Sequence, residues 1–267
     1  MPSYKNITAK IILLTGILCF FSGIGLAYER IVILYAPVSE IVKQLVGEKV
    51  VVGVTRTDPA FKKVYKVGSH LRPNLELIKA IRPDLIIAGS KRAYPEKMES
   101  KFSADFFRYD PTSIEDIFKL VQQLGDLLQV PQKSEQIIAQ LKNKLKQVQP
   151  LPDQPKVVYE ISERPLRVAG KPSIMTAIIE RAGGLNMINT NKKHVVISTE
   201  IVVDINPDFY IYQDGPMNKN PRPPKERSYF RPLRSKIVLV DQYLFSRPGL
   251  NVIDAIVKLN QIFKEQL

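Results

Sequence analysis

The sequence predicts an α/β chain of two lobes, each on a mainly parallel central sheet, joined by a single long linker helix with a cleft between them. Three observations carry this expectation. Short β-branched runs alternate with amphipathic stretches in βαβ order. One segment recurs, ungapped, in the second half of the chain. A proline-rich break follows a long helical pattern near the middle.

The first unit, residues 1–27, reads as an address. Lys5 and Lys10 precede an uncharged apolar run from Ile11 to Ala27 that ends in Gly25-Leu26-Ala27. This is the anatomy of a secretory signal peptide cleaved after Ala27. An uncleaved anchor is the competing reading, and the run is short for spanning a bilayer. Cys19 follows Ile17-Leu18 rather than a small residue, which argues against lipidation. It is also the only cysteine, so no intramolecular disulfide and no cysteine-based metal centre can form.

Residues 28–132 form the first lobe, with strands at Ile31–Tyr35, Val50–Val54, Leu85–Ala88 and Asp105–Tyr109. Helices are expected at Val38–Leu45 and Leu75–Ile81. A longer one starts at a Ser113/Asp116 capping box and repeats Ile114, Ile117, Phe118, Val121 and Leu124 on one face. Residues 133–153 hold the linker. Ser134–Val148 carries Ile137, Ile138, Leu141, Leu145 and Val148 on one stripe, and the prolines at 150, 152 and 155 then break regular structure. Residues 154–267 form the second lobe, with strands at Val157–Ile161, Leu166–Ala169, Phe209–Tyr212 and Ile237–Val240. Its helices are Ser173–Arg181, Thr199–Ile205 and Asn251–Leu267.

The repeat pairs Glu76-Leu77-Ile78-Lys79-Ala80-Ile81-Arg82-Pro83-Asp84 and its following strand with Glu200-Ile201-Val202-Val203-Asp204-Ile205-Asn206-Pro207-Asp208 and its strand. In each copy a Glu opens a short helix and Pro-Asp turns the chain into a buried strand. Two related lobes imply a cleft between them.

Composition limits what that cleft does. Of 267 residues, 45% are apolar and 24% charged, which excludes a disordered, collagen-like or polytopic membrane chain. The formal net charge of +13 suits an anionic partner. A nucleic-acid module is disfavoured because the basic runs lack interleaved aromatics and the chain carries an export signal. Ligands of open α/β sheets bind at the carboxyl ends of strands. Residues near those ends, with other basic groups assigned to the cleft, give Tyr35, Arg56, His70, Arg92, Tyr94, Arg164, Arg167, Lys171 and Arg247 as candidate ligand-binding residues. Guanidinium forks suit carboxylates, phosphates and catecholate-type oxygens, and tyrosine rings suit flat aromatic or macrocyclic ligands. Each of these residues also has a plain reading as a solvated loop side chain. Two histidines rule out a three-histidine metal site. His194, after Lys192-Lys193, reads as a solvated loop residue, and the basic stretch Asp214–Lys236 as a mobile surface loop. Glu76 and Glu200 each complement a helix dipole. No phosphate loop, Ser-His-Asp pattern or HExxH occurs.

Val67-Gly68, Pro73-Asn74-Leu75-Glu76 and Pro83-Asp84-Leu85-Ile86-Ile87-Ala88 together resemble the substrate-binding proteins of ABC importers for iron–siderophore, haem and cobalamin, the class with a rigid helical linker. So do Ala169-Gly170, Ala182-Gly183-Gly184-Leu185-Asn186, Ser198-Thr199-Glu200, Asn206-Pro207-Asp208 and Phe245-Ser246-Arg247-Pro248-Gly249. The resemblance implies a non-enzymatic, monomeric capture protein in the periplasm or on the outer face of the cytoplasmic membrane. It implies no resident cofactor and a cleft that closes little. It also implies that Glu76 and Glu200 dock on arginines of a permease dimer. A ferric chelate is the expected cargo. Haem and cobalamin stay open: haem-binding members place a Tyr after the Val-Gly pair, where this chain has Ser69-His70. The other alternative is an enzyme on a related two-lobed scaffold.

Overall fold

The structure, a computed structural model, describes residues 27–267. The expected leader otherwise lies outside the described residues, as does Cys19.

The first lobe is a five-stranded sheet of β1 (Ile31–Ile33), β2 (Val51–Val54), β3 (Tyr65–Lys66), β4 (Leu85–Ala88) and β5 (Asp105–Arg108), in the order β3-β2-β1-β4-β5. Every pairing is parallel. β1 and β4 are buried along their whole length, as apolar strands covered on both faces must be. Ile31, Ile33, Leu85 and Ile87 point to one face, against Ile41 of α1 (Ser39–Val46) and Val121 of α3 (Ile114–Leu127). Val32, Ile86 and Ala88 point to the other, against Ile78 of α2 (Leu75–Ala80). The Ser113/Asp116 capping box at the start of α3 forms as expected.

The second lobe is a six-stranded sheet of β6 (Lys156–Ser162), β7 (Arg167–Ala169), β8 (Leu185–Asn186), β9 (His194–Val196), β10 (Phe209–Asp214) and β11 (Lys236–Asp241). Strands β8, β10 and β11 run parallel with β6, while β7 is antiparallel to both β6 and β9. α5 (Ile174–Arg181) and α8 (Val252–Gln266) pack on one face through Ile178, Ile256 and Phe263. α6 (Thr199–Ile205) packs on the other through Val202. A short α7 (Gln242–Phe245) follows β11.

The linker is α4 (Pro131–Leu145), which begins earlier and ends earlier than the Ser134–Val148 span expected from the sequence. Proline is preorganised for the first helical position, and Ser134 donates to the Pro131 carbonyl at 2.7 Å rather than capping the helix. At 15 residues the helix is about 22 Å long. Near its amino end Lys133 Nζ donates to the Leu45 carbonyl of the first lobe at 2.8 Å. Near its carboxyl end Lys144 pairs with Asp254 of the second. The buried Asn260 amide then clamps the following turn, accepting from Gln149 N at 2.9 Å and donating to the Gln149 and Ala182 carbonyls. One apolar cluster runs through both lobes and α4.

The two copies of the repeat do the same work. Arg82 and Asn206 both leave their helices in the left-handed region, with φ of 47° and 40°. Asp84 then accepts the Glu29 amide at the entry to β1 at 2.7 Å, and Asp208 accepts the Lys156 amide at the entry to β6 at 2.7 Å. Their carbonyls accept from Asp105 N at 2.9 Å and Lys236 N at 2.8 Å, fixing the next strand over. Asp84→Ala and Asp208→Ala are each expected to cost about 1–2 kcal/mol of unfolding free energy in urea denaturation. A cost near zero at both sites would show that the repeated Asp is not what registers the strands.

Two expectations are corrected. Strands β3, β8 and β9 were not anticipated, and β9 takes up His194. The basic stretch Asp214–Lys236 is not a solvated loop. Arg227 within it is 1% exposed, ion-paired to Glu160 of β6, which is 0% exposed. Phe230 is buried edge-on against Tyr210. A charge whose partner is a buried carboxylate cannot stay in solvent, and it draws its whole segment onto the lobe.

Candidate functional site

The carboxyl ends of the first lobe's parallel strands face the second lobe along two flanks. On one, the loops after β1 and β2 meet the segment Tyr243–Asn251 around an open cavity of 520 Å³, lined by Ala36, Pro37, Thr57, Pro59, Tyr243 and Arg247 among others. On the other, the loops after β4 and β5 meet the β7–β9 ribbon, where Asp110 pairs with Lys193 across the lobes at 3.2 Å.

Arg247 dominates the first flank. Its guanidinium carbon lies 4.1 Å from the centre of the Tyr243 ring, a cation–π contact that fixes the fork. Asn251 holds the loop from beneath, donating to the Tyr243, Leu244 and Arg247 carbonyls at 3.2, 2.7 and 3.0 Å. Burial pulls the Arg247 guanidinium below its ordinary pKa, opposed by Tyr243, Asp58 and Tyr35. At Gly249 the lobes touch backbone to backbone: a Cβ there would stand 2.6 Å from the Pro37 carbonyl oxygen, so only glycine fits.

Tyr35 lies between the flanks, its ring 6.3 Å from that of Tyr109. Burial and the Asp110 carboxylate raise its pKa, with Arg247 pulling the other way, so it presents a neutral phenol. On the second flank, Arg92 of the first lobe and Arg167 and Lys193 of the second surround His194. Burial first, and then these three cations, push its pKa down to about 4. Lys171 is exposed on the same ribbon, where its amide donates to the Thr190 carbonyl at 3.0 Å.

His70 is exposed in the turn after β3, which the Ser69 and Arg72 backbones close, and partial desolvation lowers its pKa. Arg56 extends from the loop after β2, its amide bonded to the Gly68 carbonyl at 2.8 Å. The structure thus gathers Tyr35, Arg92, Arg167 and Arg247 at the interlobe surface and leaves Arg56, His70 and Lys171 exposed on loops.

Two candidates fall elsewhere. Tyr94 is 1% exposed in the core beneath α2. It stacks on Phe106 at 5.9 Å under the Arg108 guanidinium, and burial pushes its pKa up to about 12. Its ring folds back into the lobe and does not reach the cleft. Arg164 is 76% exposed beside a shallow pocket made of second-lobe residues, including Glu163, Asn218, Lys219 and Arg222. Sequence reasoning overlooked Asn251, Lys193 and His194. Only the β-branched pair Val195-Val196 beside His194 hinted at a strand there.

Glu76 and Glu200 both project into solvent from the first turn of their helices. Glu76 is 85% exposed, with Lys79 at 3.4 Å. The Glu200 carboxylate is held below its ordinary pKa by its own backbone amide and by Ser198.

Residues 31–256 match the family described as periplasmic binding protein. A curated protein of Bacillus subtilis (strain 168), described as the uncharacterized ABC transporter substrate-binding lipoprotein YvrC, is 27% identical over 248 residues, covering 86% of this chain and 78% of its own. Among solved structures, S. aureus IsdE complexed with heme has a TM-score of 0.77 at 19% identity, covering 88% of this chain and 98% of its own. The vitamin B12 binding protein BtuF of Vibrio cholerae has a TM-score of 0.72 at 19% identity, covering 90% and 98%. These two likenesses concern the two-lobed fold.

Proposed function

The chain belongs to the periplasmic binding protein family, and on that premise we propose that it captures an anionic ferric chelate of the siderophore kind outside the cytoplasmic membrane and delivers it to the permease of an ABC importer. The reading is supported by arginines from both lobes at the interlobe surface, Arg247 lining the cavity and Arg92 and Arg167 near His194. Guanidinium forks bind chelate oxygens in pairs, and the neutral Tyr35 phenol adds a donor between them. Capture needs no chemical turnover. The B. subtilis relative, described as a transporter substrate-binding lipoprotein, supports the delivery role. Glu76 and Glu200, exposed at equivalent positions of the repeat, are the permease contacts in this reading.

Haem is the second reading, favoured by His70: an imidazole whose pKa is lowered by desolvation, and which is therefore neutral, offers a nitrogen to iron. Thermal unfolding of residues 28–267 against ferric siderophores, haemin and cobalamin separates these readings. Cargo at a hundredfold excess over its dissociation constant is expected to stabilise the chain by about 2.7 kcal/mol. A shift with haemin alone, lost in His70→Ala, transfers the assignment to haem. No shift with any of the three refutes capture of this class.

A further inference from the structure

The β7–β9 flank of the cleft holds more positive charge than the protein neutralises. The antiparallel register sets Arg167 opposite Val196 and Ala169 opposite His194. Arg167 and His194 are therefore diagonal neighbours on one face of the ribbon, within reach of a common ligand. The charge of Arg92, an exposed side chain of the first lobe, also reaches the same imidazole. Lys193 is answered by Asp110. The guanidinium groups of Arg92 and Arg167 form no hydrogen bond or ion pair among the described residues.

We propose that this flank is a subsite for an oxyanion of the captured molecule, a carboxylate or phosphate group bridging Arg92 and Arg167 across the lobes, and that filling it places a proton on His194. The inference rests on the capture role proposed above and adds to it a defined chemical group and a proton. With the site empty, burial and the cations Lys193, Arg167 and Arg92 keep the imidazole neutral, and Asp110, already paired to Lys193, offsets little of that charge. A bound anion reverses the local balance and favours the imidazolium, which then becomes a further donor to the anion. By linkage, proton and anion strengthen each other, so affinity for the oxyanion rises as pH falls from about 6 toward 4, between the midpoints of the bound and free forms.

The chain has two histidines, His70 and His194, so proton NMR of their C2 hydrogens reads each titration directly, with His70→Gln to assign them. The probes are citrate and inorganic phosphate. Either is expected to raise the His194 midpoint by about one to two units, saturably. The probe that does so at the lower concentration identifies the group as carboxylate or phosphate. His70 is expected to stay in place, and Arg92→Ala and Arg167→Gln to remove the response. An unmoved His194 with both probes overturns the subsite, as does an equal response in the arginine variants. The thermal panel reports separately on capture. Stabilisation by a chelate with an inert His194 removes only the subsite, and a responsive His194 without any chelate binding removes only the cargo assignment.

Discussion

Arg227→Ala is expected to lower the unfolding free energy by about 3–5 kcal/mol, because it leaves the Glu160 carboxylate charged inside the second lobe without a counterion. Glu160 is 0% exposed. It accepts from both Arg227 Nη atoms, from the Tyr210 hydroxyl and from Asn218 Nδ2. Arg227 in turn donates to the Arg222 carbonyl at 2.6 Å and lies over Tyr212 and Phe230, so its loss frees the whole basic segment as well. The double replacement Glu160→Leu with Arg227→Met is expected to recover most of that loss, since an apolar pair of similar bulk has no charge to desolvate. Urea midpoints of the three variants decide it. If the double variant is no better than Arg227→Ala, packing rather than charge holds the segment down.

The second large effect is on delivery. Glu76→Ala combined with Glu200→Ala is expected to abolish cargo uptake in cells while cargo affinity of the isolated protein stays within about twofold. Truncating one partner of a buried interfacial charge pair costs about 2–5 kcal/mol, so losing one on each lobe weakens docking by far more than tenfold. Neither carboxylate supports the fold strongly. Glu76 is 85% exposed with one long pairing to Lys79, and Glu200 is likewise exposed. The control is the thermal midpoint, expected within a degree or two of the parent. Unchanged uptake would place the permease contact on another surface, and lost cargo affinity would place these residues in the cleft's own machinery.

What the sequence revealed follows from how each residue is constrained. β1 and β4 were legible because strands buried on both faces must be apolar throughout, and the repeat because Pro-Asp performs the same backbone task twice. α3 was announced by its capping box. β3, β8 and β9 were not legible, since two or three residues cannot establish an alternation, and with β9 went the placement of His194. Tyr94 misled because it follows β4 in a turn. Sequence order fixes such a residue's place along the chain but not whether its ring points to the cleft or back beneath Arg108. Arg227 was misjudged for a related reason. Its signal was not in its own basic neighbourhood but in Glu160, a lone carboxylate within the apolar run of β6 that requires a buried partner. Arg247 was anticipated as a charge. Its anchoring by Tyr243 and Asn251 depends on a loop conformation that only the folded chain displays.

The two flanks of the cleft are fastened by different physics. At Gly249 and Pro37 backbone meets backbone with no room for a side chain, a steric joint that dissolved ions do not affect. At Asp110 and Lys193 the fastening is an ion pair whose side chains are 37% and 40% exposed, and such an exposed pair weakens as ionic strength rises. Salt therefore weakens one margin of the cleft and leaves the other unchanged.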